Sequence, residues 1–347
     1  MSTVLRRSLL KYVAVSPWII NRVMADSTSE TNIPKYQIGD TVIEFHTTDG
    51  YPQRWKETYE NTIKHFSNRW GRVGPTHIFL VENTDWNPEP GDPARVEQLK
   101  ISQRQLKQTF AKLQGHGSDG SHLEWETWNH WAGWSIKPPQ LMITMTMSPY
   151  RDADQFVIGP IHEYMHALQT AHGYGQEAID GNRMGQSLWT GPAWWREGAA
   201  VLVSAVYSYQ TPSLFKSMKR NMSWRRLSDE MNRNLEMYQK IETSISSGVT
   251  HDDWQRLEAQ QRVHPVVYAG GSVACAHLLK RAGSLDKFMQ FLPKVAKLGW
   301  QPAFEQHFGI SLPAFYEQFA KDVAAAEPRQ HQPPSEDNWC YFLKSIK

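Results

Sequence analysis

Cysteine is scarce in this chain. Two thiols among 347 residues, Cys275 and Cys340, are too few for a disulfide framework or for a zinc site built from thiolates, which needs several Cys or His at short spacing. A chain of this length buries enough apolar surface to fold without such staples. The simplest reading is two unpaired thiols, with Cys275 a small buried residue on a helix; one optional bridge between them is the alternative in an exported protein. Net charge is also nearly absent. Thirty-seven basic against 35 acidic residues leave +2, which supplies no field that would argue for nucleic acid or an anionic membrane as partner. Long apolar runs are missing too: the nine-residue stretch from Tyr12 to Ile20 is the best candidate, and a spanning helix needs about 20 residues. No internal repeat is visible. What is present is a globular profile, 40% apolar and 21% charged, with 15 Trp as the one excess.

Residues 1–25 differ from the rest. Arg6, Arg7 and Lys11 precede the apolar stretch, and Val23-Met24-Ala25 offers small residues for cleavage, a signal-peptide layout. Arg6-Arg7-Ser8-Leu9-Leu10-Lys11 resembles the twin-arginine export signal of bacteria. On this reading the mature chain begins near Asp26, lies in the periplasm or outside the cell, and makes no stable membrane insertion once the leader is removed. An uncleaved basic amphipathic helix is the competing reading.

Residues 26–150 read as an α/β part. Thr41 to His46 is strand-like, Tyr51 to Trp70 has apolar residues at helical spacing (Trp55, Tyr59, Ile63, Phe66, Trp70), and Thr76 to Val81 is a second strand. A charged helix over Pro93 to Leu113 and a Gly-rich loop from Gly115 to Gly120 follow. Leu141 to Met147 alternates as a half-exposed or edge strand does. Residues 151–327 read as helical, with a stop at Gly283 and a new start at Ser284, and residues 328–347 as a polar tail. The predicted class is α+β: a small mixed sheet with helices in the N-terminal half and a mainly helical C-terminal half. Oligomeric state is not legible.

Within the helical half, His162-Glu163-Tyr164-Met165-His166 fits HExxH. Four residues make about one helical turn, so both imidazoles leave one face, close enough to hold one ion. A catalytic zinc takes three protein ligands and keeps one position open. Trp194-Trp195-Arg196-Glu197-Gly198-Ala199-Ala200 supplies a candidate third ligand. A first helix ending near Gly173 or Gly175 and a second beginning after Pro192 would bring Glu197 back to the histidines. A carboxylate in so apolar a segment needs a partner, and a metal ion is one. Two His and one Glu favour a single Zn2+ by ligand type, though this set alone does not exclude other divalent ions.

HExxH followed by Trp-x-x-Glu-Gly-x-Ala resembles the gluzincin metallopeptidases, in particular bacterial families of the peptidase MA clan whose catalytic unit follows a β-α-β front half. The likeness extends to Tyr268-Ala269-Gly270-Gly271-Ser272 and to Ala303 through Leu312. The resemblance implies a zincin-like fold and a zinc-dependent hydrolase that cleaves peptide or protein substrates. It implies His162, His166 and Glu197 as metal ligands, Glu163 as general base toward a zinc-activated water, and Tyr268 as the group that steadies the oxyanion. Tyr268 is otherwise a core tyrosine held by one hydrogen bond. Val201 stands where several gluzincins carry a carboxylate that orients a ligating His, so that orientation must come from another residue.

Other patterns compete. Gly270-Gly271-Ser272 after Val266-Val267-Tyr268 mimics a serine nucleophile elbow, with Asp286 and His307 following in order, so a serine hydrolase using Ser272 is one alternative. A non-catalytic binding protein on the same fold is another, although Glu163 and all three ligand candidates are retained. Gly115-x-Gly117-x-x-Gly120 fits the dinucleotide fingerprint but follows a charged helix and not a strand, which makes it a loop. Trp125, Trp128, Trp131 and Trp134 recur every third residue, as core packing or as a stacking surface by the substrate.

Overall fold

The computed structural model describes residues 36–38, 42–73, 76–82, 93–113, 131–136, 139–146, 155–179, 191–211, 214, 224–247 and 264–326. The leader, the Gly115 to Gly120 loop, Trp125, Trp128, Cys340 and the tail lie outside them. Four strands form a mixed sheet: β2 (Ile43–Thr47), β4 (Thr76–Val81), β6 (Pro139–Thr146) and β5 (Trp131–Ile136), in that spatial order. The first three are parallel and β5 is antiparallel to β6. A separate parallel pair joins β1 (Tyr36–Ile38) to β3 (Gly71–Val73).

The strand expected over Leu141 to Met147 is therefore β6, and it is not an edge strand: β4 and β5 flank it on both sides. Among the described residues the edges are β2 and β5. Alternating apolar and polar residues on β6 suit a strand whose two faces meet different layers as well as they suit an edge.

Period-two alternation divides the faces of β4. Ile78 and Leu80 join the main core with α1 (Gln53–Trp70), while Phe79 and Val81 pack with Leu106 and Phe110 of α2 (Pro93–Leu113). In α1 the apolar residues predicted to line one stripe, Trp55, Tyr59, Ile63, Phe66 and Trp70, are all buried. The helix ends at Gly71, whose φ of 120° a side chain would resist.

Helix α3 (Gln155–Ile179) lies against α1 and the sheet, with Phe66 edge-on to Tyr164 at 6.0 Å. It runs past Gly173 and Gly175, beyond the expected stop. The next helix, α4 (Ala193–Gln210), begins directly after Pro192 as expected. Further helices follow: α5 (Trp224–Gln239), α6 (Gly271–Ala282), α7 (Leu285–Met289), α8 (Phe291–Leu298), α9 (Trp300–Phe308) and α10 (Leu312–Ala325). The boundary between α6 and α7 has a clear cause. Gly283 adopts a left-handed φ of 81°, and the Ser284 hydroxyl caps α7 by accepting from Lys287 N.

One continuous core spans both parts, from Tyr59 and Phe66 of α1 through α3 and α4 to Phe319 of α10. The architecture is α+β. Among the described residues no helix is long and apolar enough to cross a membrane.

Candidate metal centre

Helix α3 carries His162, Glu163 and His166, and α4, packed against it, carries Glu197. The aromatic surplus explains why Glu197 sits where it does. Trp195 is wedged between Phe288 and Phe291, 5.4 and 4.8 Å between ring centroids, and the Trp194 indole N–H donates to the Tyr316 hydroxyl at 3.1 Å. Buried rings of this size each contribute about 1.5 to 3 kcal/mol or more. On the far side, Gly198 touches backbone: a Cβ there would lie 2.1 Å from the carbonyl carbon of Gly271. The residues flanking Glu197 thus fix α4 from two directions.

His162 Nε2 is 3.1 Å from His166 Nε2, and the Glu197 Oε2 atom is 3.5 and 3.2 Å from these two nitrogens. Ligands bonded at about 2.0 to 2.1 Å in tetrahedral array around zinc are separated by roughly 3.3 to 3.4 Å. The triangle is thus close to the size that one ion of this kind would need, and the three residues form a group that could hold a metal. The electrostatics agree. Burial alone would lower the pKa of His166, yet the Glu197 carboxylate overrides this and pushes it up to about 9. Burial disfavours charge on Glu197 as well, but the two imidazoles hold its pKa below the usual carboxylate range. In the metal-free chain the carboxylate and the imidazoles thus stabilise one another's charged forms.

Glu163 is buried at the edge of the triangle, 4% exposed. Burial raises its pKa, the two imidazoles pull it back, and the net shift is upward. A carboxylate so tuned is a better proton acceptor near neutral pH than an exposed one.

The side chain that holds His166 from its other ring nitrogen is Gln169. Its Oε1 accepts from the Nδ1 side of His166 at 3.0 Å, and its Nε2 donates to the Arg196 carbonyl at 3.0 Å. The first contact puts the ring proton on Nδ1 and frees Nε2 for a metal. The second ties the same side chain to the backbone beside Glu197. Gln169 is 3% exposed and stands three residues after His166 on the helix, spacing that is visible in the sequence once a use is known for it.

Tyr268 lies in a π-helical segment, His264–Gly270, that runs into α6. It is half-buried and packs with Ala193, Val266 and Val267. Gly271, three residues on, makes the backbone contact with Gly198 just described, so the segment passes close to α4.

The serine-elbow arrangement is not assembled. Val266 to Tyr268 is helical, not a strand. Ser272 is wholly buried, donating to Ala269 O and accepting from Asn234 Nδ2. Asp286 is paired with Arg69 at 2.8 Å, and His307 is bonded to the Lys287 carbonyl. Cys275 is buried on α6, with its thiol pKa pushed up by that burial. Trp131 and Trp134 fall on strand β5.

Comparison of the chain with models of known protein families, with curated proteins and with solved structures found no match.

Proposed function

We propose that this chain is a zinc-dependent hydrolase of gluzincin type, on a zincin-like fold, that cleaves peptide bonds. The observation that carries the reading is the triangle of His162, His166 and Glu197 ligand atoms, with sides of 3.1 to 3.5 Å, beside a buried carboxylate of raised pKa. A zinc ion held by these three residues would supply Lewis acidity, drawing the pKa of a water toward neutrality and polarising the scissile carbonyl.

The chain's own residues do the rest. Glu163 takes the proton of the attacking water and returns it to the leaving amine. Gln169 keeps His166 in the tautomer that presents Nε2. Tyr268, at the segment adjoining α4, donates a hydrogen bond to the oxygen on which negative charge grows. A peptide is the substrate class because edge strand β5 packs on helix α3. Among the described residues no strand pairs with its outer edge, so an extended peptide backbone added there would find a row of hydrogen-bonding groups beside α3. Export, with cleavage near Asp26, completes the proposal.

Internally quenched peptides incubated with the full chain test it. The wild type is expected to cleave, a chelator to stop cleavage and added zinc to restore it, while Glu163→Gln binds zinc without turnover. Hydrolysis that survives chelation, or persists in Glu163→Gln, would refute the mechanism.

A further inference from the structure

The sheet carries a second group with the same ligand chemistry as the centre on α3 and α4, far from it in sequence. Glu44 and His46 stand two residues apart on β2, so they leave the same face of the strand. The register sets Glu44 directly opposite His77 on β4, and His46 opposite Phe79. All three therefore project on the face that Phe79 and Val81 share with α2, and none on the face that packs against α1.

Their ligand atoms converge. His46 Nε2 lies 3.1 Å from His77 Nδ1, and Glu44 Oε2 is 3.3 Å from His77 Nδ1 and 3.8 Å from His46 Nε2. Against a spacing of roughly 3.3 to 3.4 Å for tetrahedral zinc, this triangle needs only a small rotation of one exposed carboxylate. The rings are held. His77 is 7% exposed, and His46 stacks on Phe79 with centroids 4.6 Å apart and planes 20° from parallel. Glu44 approaches from solvent, which leaves an entry path on one side.

We propose that Glu44, His46 and His77 form a second divalent-cation site, distinct from the HExxH centre, that takes zinc or another imidazole-preferring ion and fastens edge strand β2 to β4. Two nitrogens among three donors select zinc, copper or nickel over magnesium and calcium, which prefer oxygen. The role follows from position. An edge strand is the weakest-held part of a sheet, and an ion that binds only the paired strands adds its binding free energy to the folded state. The site does not depend on the proposed peptidase activity.

The test is a zinc chloride titration of the full chain, stripped of metal, against a competing chromophoric chelator. The wild type is expected to bind two equivalents, and the double variant His162→Ala with His166→Ala to retain one. In that background His46→Gln with His77→Gln is expected to bind none. Glu44→Gln, a surface change that leaves the fold intact, should weaken the retained equivalent by at least about 10-fold, since losing a direct ligand costs more than losing an outer-shell partner. Bound zinc should also raise the melting temperature of the His162→Ala, His166→Ala chain. The proposal is overturned if that chain binds no zinc, or if Glu44→Gln leaves its affinity unchanged; the cluster is then a hydrogen-bonded histidine pair beside a carboxylate.

Discussion

Replacing Gln169 by leucine removes one side chain and strikes both the metal site and the helix pair that frames it. Gln169 spans from the His166 ring to the Arg196 carbonyl with two contacts of 3.0 Å, in a position 3% exposed to solvent. Leucine keeps the volume and provides neither contact. The His166 Nδ1–H then loses its acceptor, and the ring is free to rotate or to carry its proton on Nε2. Outer-shell partners of ligating histidines are worth about 10- to 100-fold in metal affinity, or roughly 1.4 to 2.8 kcal/mol. The metal-free protein should lose stability as well, by about 1 to 3 kcal/mol for each buried group left without its partner. Gln169→Glu separates the two effects. It retains an acceptor toward Nδ1 and loses the donor toward Arg196, so zinc affinity should hold while stability falls. Chelator competition reads the first quantity and denaturant unfolding of the metal-free chain the second. Wild-type zinc affinity in a folded Gln169→Leu variant would refute the assignment, and the tautomer of His166 would then be set by another group.

Three further outcomes are expected. Glu163→Gln should keep stoichiometric zinc and lose about 10²- to 10⁴-fold in kcat, measured on the same peptide; equal loss of zinc and activity would reassign the residue to structure. Tyr268→Phe removes only a hydroxyl and should lower kcat by about 10²- to 10³-fold with zinc content and melting temperature nearly unchanged; a fall in stability without a fall in kcat would make it a core tyrosine. Buried His172 has its pKa lowered from 6.5 to about 3, so as pH falls below about 6.5 the unfolded chain takes up a proton that the folded chain refuses, and stability present above that pH is lost. Between pH 7 and pH 5, with chelator present, this amounts to up to about 2 kcal/mol, and His172→Asn should lose that much less than the wild type. Equal pH dependence of the two chains would show that His172 is accessible to protons in the native state.

Residues close in the chain were readable because a helix converts spacing into direction. The four-residue step from His162 to His166 decides that both rings share a face, and the stripe from Trp55 to Trp70 decides which side of α1 is buried. Glu197 was readable because a lone carboxylate among Trp194, Trp195, Ala199 and Ala200 has few reasons to be there. Helix α3 continues through Gly173 and Gly175 because a penalty of about 1 kcal/mol per glycine weakens a helix without forcing it to stop. Strand β5 was hidden because tryptophans at every third residue obscure a period of two. Gln169 was hidden for a different reason: a glutamine three residues after a histidine is unremarkable until the second helix supplies the Arg196 carbonyl. The group of Glu44, His46 and His77 depends on the register between two strands more than thirty residues apart, which no short motif around either strand displays.

On the proposed function, His162, His166 and Glu197 together hold one zinc ion. An anomalous difference map from crystals of the zinc-loaded protein, collected on the two sides of the zinc absorption edge, tests it directly. A peak is expected about 2.0 to 2.2 Å from Nε2 of both histidines and from a carboxylate oxygen of Glu197. A map from zinc-loaded crystals with no peak between these three residues would contradict it.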